Sequence, residues 1–266
     1  MSTPSLRKLA VVTGASSGIG AVYADRLAAR GYDVLLIARR RDRLDDVAAR
    51  IVSSHGRKAE ILVADLADPA DLSRVADDLG GREDIEILVN NAGIARFTPI
   101  AKGDFEDSAA QIALNITALT RLTHAVLPGL VAKNRGTIIN LASVLSVFSL
   151  PHSAVYSGTK AFVMVFSRGL QEELAGTNVK VQSLHPAITA TEIWEQAGVP
   201  IDGFDAAKVM KTETMVDAAL VGLDKGETYT WPSVADEALW NTFAATGDAL
   251  FAAGETGTPA PRYRVS

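Results

Sequence analysis

The chain has 266 residues, 48% hydrophobic and 21% charged, and its 26 Lys and Arg against 31 Asp and Glu leave a net charge of −5. That length allows one large α/β domain or two small ones with a substantial core, and the acidic balance gives no basic patch for nucleic acid. Without cysteine there is no disulfide framework or thiolate site, and His55, His124, His152 and His185 show no ligand spacing, so no metal is expected.

The N-terminal "MSTPSLRKLAVVTG" lacks the apolar stretch of a signal peptide, and no later run reaches the roughly 18 apolar residues of a membrane span; a soluble, cytoplasmic protein is expected. Short Val/Ile/Leu runs then alternate with helical patterns: "KLAVVTG", "AVYADRLAARG", "DVLLIAR", "RLDDVAARIVSSHG", "AEILVADL", "DLSRVADDLGG", "IEILVNNAG". Continuous rather than alternating apolar runs suit strands covered by helices on both faces, so repeated βαβ units and a parallel sheet are expected. A long helix around 109–130, a strand "GTIINLAS", a helix over about 155–174 and a strand "VKVQSLHP" extend the pattern. No linker interrupts it, so a single domain over 1–266 is expected. From about 190 to 212 the texture becomes irregular, with Trp194, Pro200 and Gly203, as in a substrate lid beyond the carboxyl ends of the strands. In the C-terminal extension, about 233–266, "EALWNTFAATGDALF" reads as an amphipathic helix with Leu239, Trp240, Phe243, Leu250 and Phe251 near one face, expected to pack on its own domain.

After the first strand, "TGASSGIG" places Gly14, Gly18 and Gly20, with Ser16, Ser17 and Ile19 between them, at the opening of a helix. Glycines allow phosphate oxygens to approach backbone N–H groups, and the helix N-terminus favours anions. In a βαβ context this points to a dinucleotide, while the absent Gly-Lys-Ser/Thr ending disfavours ATP or GTP hydrolysis. At the end of the second strand, "DVLLIARRR", an acidic residue would hold a free ribose 2′-hydroxyl; Ala38 and Arg39 stand there instead. That choice predicts NADP(H), with Arg39 the main 2′-phosphate contact and Arg40 and Arg41 a solvated helix start.

In "VYSGTKAF", Tyr156 and Lys160 lie four apart, on one helix face. Together with "TGASSGIG", "ADL", "NNAG", "NLAS" and "HPAIT", this identifies a chain that resembles the short-chain dehydrogenase/reductase family over about its first 190 residues. The resemblance implies a single Rossmann-type, doubly wound α/β domain and a catalytic tetrad of Asn115, Ser143, Tyr156 and Lys160. Reducing a ketone needs a hydride at carbon and a proton at oxygen; Tyr156 is the implied donor, its pKa lowered from about 10 toward 7 chiefly by Lys160, with Ser143 holding the substrate oxygen. By the same resemblance Lys160 binds the nicotinamide ribose and Asn115 holds a water leading to solvent. Asp65 and Leu66 lie near adenine, Asn91, Ala92 and Gly93 form the turn beside its ribose and stabilise the sheet, and Pro186, Ile188 and Thr189 pass the nicotinamide. The family's glycine after that proline is replaced by Ala187, whose methyl narrows the loop.

Val147, Phe148, Leu150 and Trp194, with Val199, Ile201 and Phe204 in the lid, suit an apolar or aromatic ketone, so the implied activity is an NADPH-dependent carbonyl reductase, equally a secondary alcohol dehydrogenase. Two alternatives stand beside it. A 3-oxoacyl thioester reductase needs a basic surface at the cleft, where the lid offers only Lys208 and Lys211; a non-catalytic NADPH-binding sensor has no need of a tuned phenol. The resemblance also implies a homodimer or homotetramer built on the long helices carrying Asn115 and Tyr156; with no long apolar run, no membrane partner is expected.

Overall fold

The apolar runs form strands, the central ones buried on both faces: all five residues of the first are buried, while the edge strand Ala59–Val63 is half-buried throughout. The computed structural model describes residues 8–264. Its strands are β1 (Leu9–Thr13), β2 (Asp33–Ala38), β3 (Ala59–Val63), β4 (Ile85–Asn90), β5 (Gly136–Leu141), β6 (Val179–Leu184) and β7 (Tyr229–Thr230). They make one seven-stranded sheet in the order β3-β2-β1-β4-β5-β6-β7, parallel at every pairing. The two-residue β7 is too short to leave an apolar run and was not expected from the sequence.

The helices are α1 (Gly18–Ala29), α2 (Arg41–His55), α3 (Pro69–Gly80), α4 (Phe105–Ile112), α5 (Leu119–Ala132), α6 (Ala154–Glu173), α7 (Ile193–Gln196), α8 (Thr212–Lys225) and α9 (Glu237–Gly254). Strand alternation divides the core in two. Val12, Leu36, Ile139 and Leu184 face Leu27, Leu44, Met215 and Leu220 on one side; Leu9, Leu35, Leu88 and Ile138 face Leu72, Val75, Leu122 and Leu170 on the other. This is the doubly wound arrangement expected. Start signals are local: Asp68 accepts from the N–H groups of Ala70 and Asp71, with Pro69 behind it in the first turn of α3.

The long helix expected over 109–130 starts earlier and is interrupted. Between α4 and α5 the chain widens into a π-helix, Ala113–Ala118, which contains Asn115; such widened turns accompany functional sites. The irregular stretch after β6 is a loop pinned at its neck. Thr189 pairs with Met210, and the Thr212 hydroxyl donates to Ala190 O at 2.6 Å.

The chain divides between Pro232 and Ser233 into two compact units. The sheet, its flanking helices and the tetrad positions lie in the first. The second holds α9, started by Asp236 accepting from Ala238 N–H, and none of its helical residues is buried. Leu239, Leu250 and Phe251 are exposed. Among the described residues no helix is long and apolar enough to cross a membrane.

Candidate active site

The strand order reverses direction at β1, whose neighbours are β2 and β4, and the site gathers beyond the carboxyl ends of these strands. Gly14 and Gly18 take φ values of +66° and +53°, where side chains are strained. A Cβ on Gly20 would lie 2.4 Å from Gly14 O and 2.6 Å from Asn91 Nδ2. Asn91 is itself fixed, donating from Nδ2 to Thr13 O at 2.8 Å. The Thr13 hydroxyl donates to Val89 O and accepts from the N–H groups of Asn91 and Ala92. "NNAG" is therefore the template for the glycine turn, and Asn90 extends it by donating to Asn140 Oδ1 at 2.9 Å across β4 and β5.

Ser17 precedes α1 in extended conformation with no side-chain cap and no acidic residue in the first turn. Arg40 leans over this end, its Nη2 donating to Ser17 Oγ at 2.7 Å and to Ser16 Oγ at 3.2 Å. Uncapped N–H groups, glycines and a guanidinium fit the phosphates of a dinucleotide. Arg39 is exposed and faces Asp65 at 3.5 Å. Arg40 thus departs from the solvated helix start expected of it. Its Nη1 also donates to Glu192 Oε2 at 2.8 Å, and Arg43 pairs with the same carboxylate, tying the lid's base to the phosphate loop. The hydrogen bond from Arg40 is the main influence holding Glu192 below the usual carboxylate range. Asp65 Oδ1 accepts from Ala67 N–H, and Leu66 beside it is buried.

The four tetrad positions converge on one volume. α6 presents Tyr156 and Lys160 on successive turns, the Lys160 Nζ 5.7 Å from the Tyr156 ring centroid. Ser143, at the exit of β5, is near enough to the Tyr156 phenol to draw its pKa down. Asn115 accepts from Ile94 N–H and donates to Ile94 O, both at 2.9 Å, and to Thr159 Oγ1 at 3.1 Å. Gly93 forms the floor: a Cβ there would sit 3.1 Å from Asn115 Oδ1 and 3.7 Å from Lys160 Nζ.

Electrostatics here differ from the expectation that Lys160 lowers Tyr156. Burial pushes the Tyr156 phenol up to about 12, offset only in part by Ser143, and burial brings Lys160 down to about 8. The ammonium is directed at Leu141 O, 2.8 Å away. Desolvation is therefore the leading influence on both groups.

Above the phenol stands an aromatic wall. Phe97 meets the Tyr156 ring edge-on at 5.5 Å and stacks on Trp194 at 6.0 Å; Trp194 in turn meets Phe204 at 4.8 Å. Trp194 is anchored by Nε1 donating to Thr189 O at 2.8 Å. Val147, Phe148 and Leu150 are exposed in the segment after Ser143. Pro186 O accepts from Val144 N–H and Ile188 O from Met210 N–H, and the Thr189 hydroxyl donates to Ala187 O at 3.2 Å. Sequence reasoning missed Phe97, four residues past "NNAG", as well as Glu192 and His185; only His185 carries a local signal, an ionisable residue directly after an apolar strand.

Residues 8–199 match the model of the short chain dehydrogenase family, and the chain belongs to that family. A short-chain dehydrogenase from Sphingobium yanoikuyae, solved in complex with NADPH, is 41% identical with a TM-score of 0.93, over 97% of this chain and 100% of that one. The bulky-bulky ketone specific alcohol dehydrogenase from Comamonas testosteroni is 32% identical with a TM-score of 0.89, over 98% of this chain and 100% of that one. The very-long-chain 3-oxoacyl-CoA reductase-A of Danio rerio is 39% identical over 195 residues, 72% of this chain and 61% of that protein. The chain thus spans less than two thirds of the length of that curated relative.

Proposed function

We propose that this protein is an NADP(H)-dependent oxidoreductase that interconverts bulky apolar or aromatic ketones and their secondary alcohols. The observation that carries the reading is the Phe97–Trp194–Phe204 wall standing against the Tyr156 ring, beside Ser143 and Lys160. A solved relative bound to NADPH and another specific for bulky-bulky ketones support it.

Gly14, Ser16, Ser17, Gly18, Ile19 and Gly20 would hold the pyrophosphate, Arg39 and Arg40 the 2′-phosphate, Asp65, Leu66 and the Asn91–Gly93 turn the adenosine, and Pro186, Ile188, Thr189 and Lys160 the nicotinamide riboside. The dinucleotide would supply or accept the hydride. In reduction, the Ser143 hydroxyl donates a hydrogen bond to the carbonyl oxygen as negative charge develops there, and the Tyr156 hydroxyl transfers its proton to that oxygen. A phenol pushed up to about 12 remains protonated at neutral pH, as a donor requires. Lys160, buried beside it, stabilises the phenolate left behind, and Asn115 keeps Ile94 and Thr159 in place around both. In oxidation the same groups run in reverse.

A second reading is favoured by the 3-oxoacyl-CoA reductase relatives: the substrate is a 3-oxoacyl thioester, whose ketone would meet the same three groups. Rates of NADPH oxidation with bulky aryl ketones and with 3-oxoacyl-CoA esters, in parallel, decide between them. A preference for the thioester replaces the first reading, and tight NADPH binding with no turnover of either class removes both in favour of a sensor. Self-association as a dimer or tetramer is proposed through α6, where Phe162 and Val165 are exposed; light scattering of the purified chain tests it.

A further inference from the structure

His185 directly follows β6, next to Pro186, and is completely buried. Its Nδ1 lies 2.9 Å from Ser146 Oγ and 3.3 Å from Ser143 O, and its Nε2 lies 2.9 Å from Ser183 Oγ. The ring stacks on Trp231 with centroids 3.9 Å apart. A carbonyl oxygen only accepts, so the 3.3 Å approach to Ser143 O is a hydrogen bond in the tautomer that carries the proton on Nδ1, shared with Ser146 Oγ, while Nε2 accepts from the Ser183 hydroxyl; that tautomer is the one assigned.

The peptide unit after Ser143 is consequently gripped from both sides by one dipeptide. Its carbonyl receives His185 Nδ1–H, and its N–H, that of Val144, donates to Pro186 O at 3.0 Å. Two further bonds complete the turn: Ser146 N–H donates to Ser143 O at 2.9 Å, and Leu145 N–H donates to Ser143 Oγ at 3.1 Å. That peptide plane fixes the backbone from which the Ser143 side chain projects, and the Leu145 N–H bond holds its Oγ. We propose that His185 is a positioning residue, which through its Nδ1–H bond to the Ser143 carbonyl orients the Ser143 hydroxyl for the reacting oxygen. The inference rests on the reading of Ser143 given above. Burial holds the imidazole far below its usual range, at about 3, so the neutral, one-proton form persists at any working pH.

A plain core histidine would matter only for stability, and two amides separate the cases. The amide of His185→Asn reaches the position of Nδ1, whereas that of His185→Gln reaches the position of Nε2. Both are to be compared with His185→Leu for Tm, NADPH Kd, ketone KM and kcat. All three lower Tm; His185→Asn keeps kcat within a few-fold, while His185→Gln and His185→Leu lose roughly 10- to 100-fold, the scale of a small misplacement at a reacting centre, with NADPH Kd unchanged. A kcat that follows Tm across the three, or a Gln variant as active as the Asn variant, overturns the inference. Ser143→Ala is the control: if it keeps full activity, the reading of the site fails and the inference falls with it; if it is inactive while Asn and Gln do not separate, the inference alone fails. Nitrogen chemical shifts of the His185 ring, assigned by difference from His185→Gln, test the hydrogen-bond pattern without turnover. The expected result is a proton on Nδ1, and a proton on Nε2 overturns it.

Discussion

Replacing Lys160 with methionine should make the protein more resistant to unfolding near neutral pH while abolishing its chemistry. In the unfolded chain this lysine keeps its proton to about 10.5; in the fold, burial lets it go at about 8. Between those values the unfolded chain binds the extra proton, so stability rises with pH across that window and the full penalty is present below pH 8. A fall from 10.5 to about 8 corresponds to about 3 kcal/mol. Methionine removes that penalty but leaves the Leu141 carbonyl without its 2.8 Å donor, which costs about 1 to 3 kcal/mol. The net gain at pH 7 is therefore small, ~0 to 2 kcal/mol, and the sharper signature is its pH dependence. Of the lysine's penalty, about 2 kcal/mol disappears between pH 7 and pH 9.5, so the stability of the variant relative to the natural chain should drop by that amount. Urea unfolding of both proteins at the two pH values measures it. A difference that does not change with pH, or that moves the other way, refutes the account of Lys160 as a buried, desolvated ammonium.

Other consequences concern the cofactor and the wall. Arg40 is half-buried and preorganised on Ser16 and Ser17, whereas Arg39 is exposed; a charge-assisted bond is worth about 1.5 to 3 kcal/mol and an exposed pair about 0 to 1. Arg40→Leu should weaken NADPH roughly 10-fold more than Arg39→Leu does, with NADH little affected by either; fluorescence titration checks this, and a larger loss for Arg39 would reverse the assignment. Gly20→Ala should lower Tm by roughly 2 to 10 °C, because a methyl 2.4 Å from Gly14 O overpacks the turn by about 1 to 3 kcal/mol; an unchanged Tm in calorimetry contradicts the template role of Asn91. Phe97→Ala should raise KM for an aryl ketone roughly 10-fold and leave a small aliphatic ketone unaffected. Equal effects on both ketones would remove Phe97 from the substrate wall.

Six strands were readable because parallel strands covered on both faces need uninterrupted Val, Ile and Leu, and β1, β2 and β4 show such runs. β7 escaped because two residues carry no period. The π-helix at Asn115 escaped for a different reason: the apolar pattern runs straight through "QIALNITALT", and one widened turn shifts the face without altering composition. Motifs marked the polar end of the site, since glycine turns and a Tyr/Lys pair are local. The choice between Arg39 and Arg40 was not local; it depends on Ser16, Ser17 and Glu192, brought together from three segments. His185 was hidden likewise, because its partners Ser143, Ser146 and Trp231 come from two other strand ends.

The central claim is that Tyr156 delivers a proton to a ketone oxygen within this aromatic-walled site. Its most direct test is the loss of NADPH absorbance with a bulky aryl ketone, using the natural chain and Tyr156→Phe. Turnover that falls by roughly 10²- to 10⁴-fold in the variant, with NADPH still bound at unchanged affinity, is the predicted result. Turnover that survives in Tyr156→Phe would contradict it.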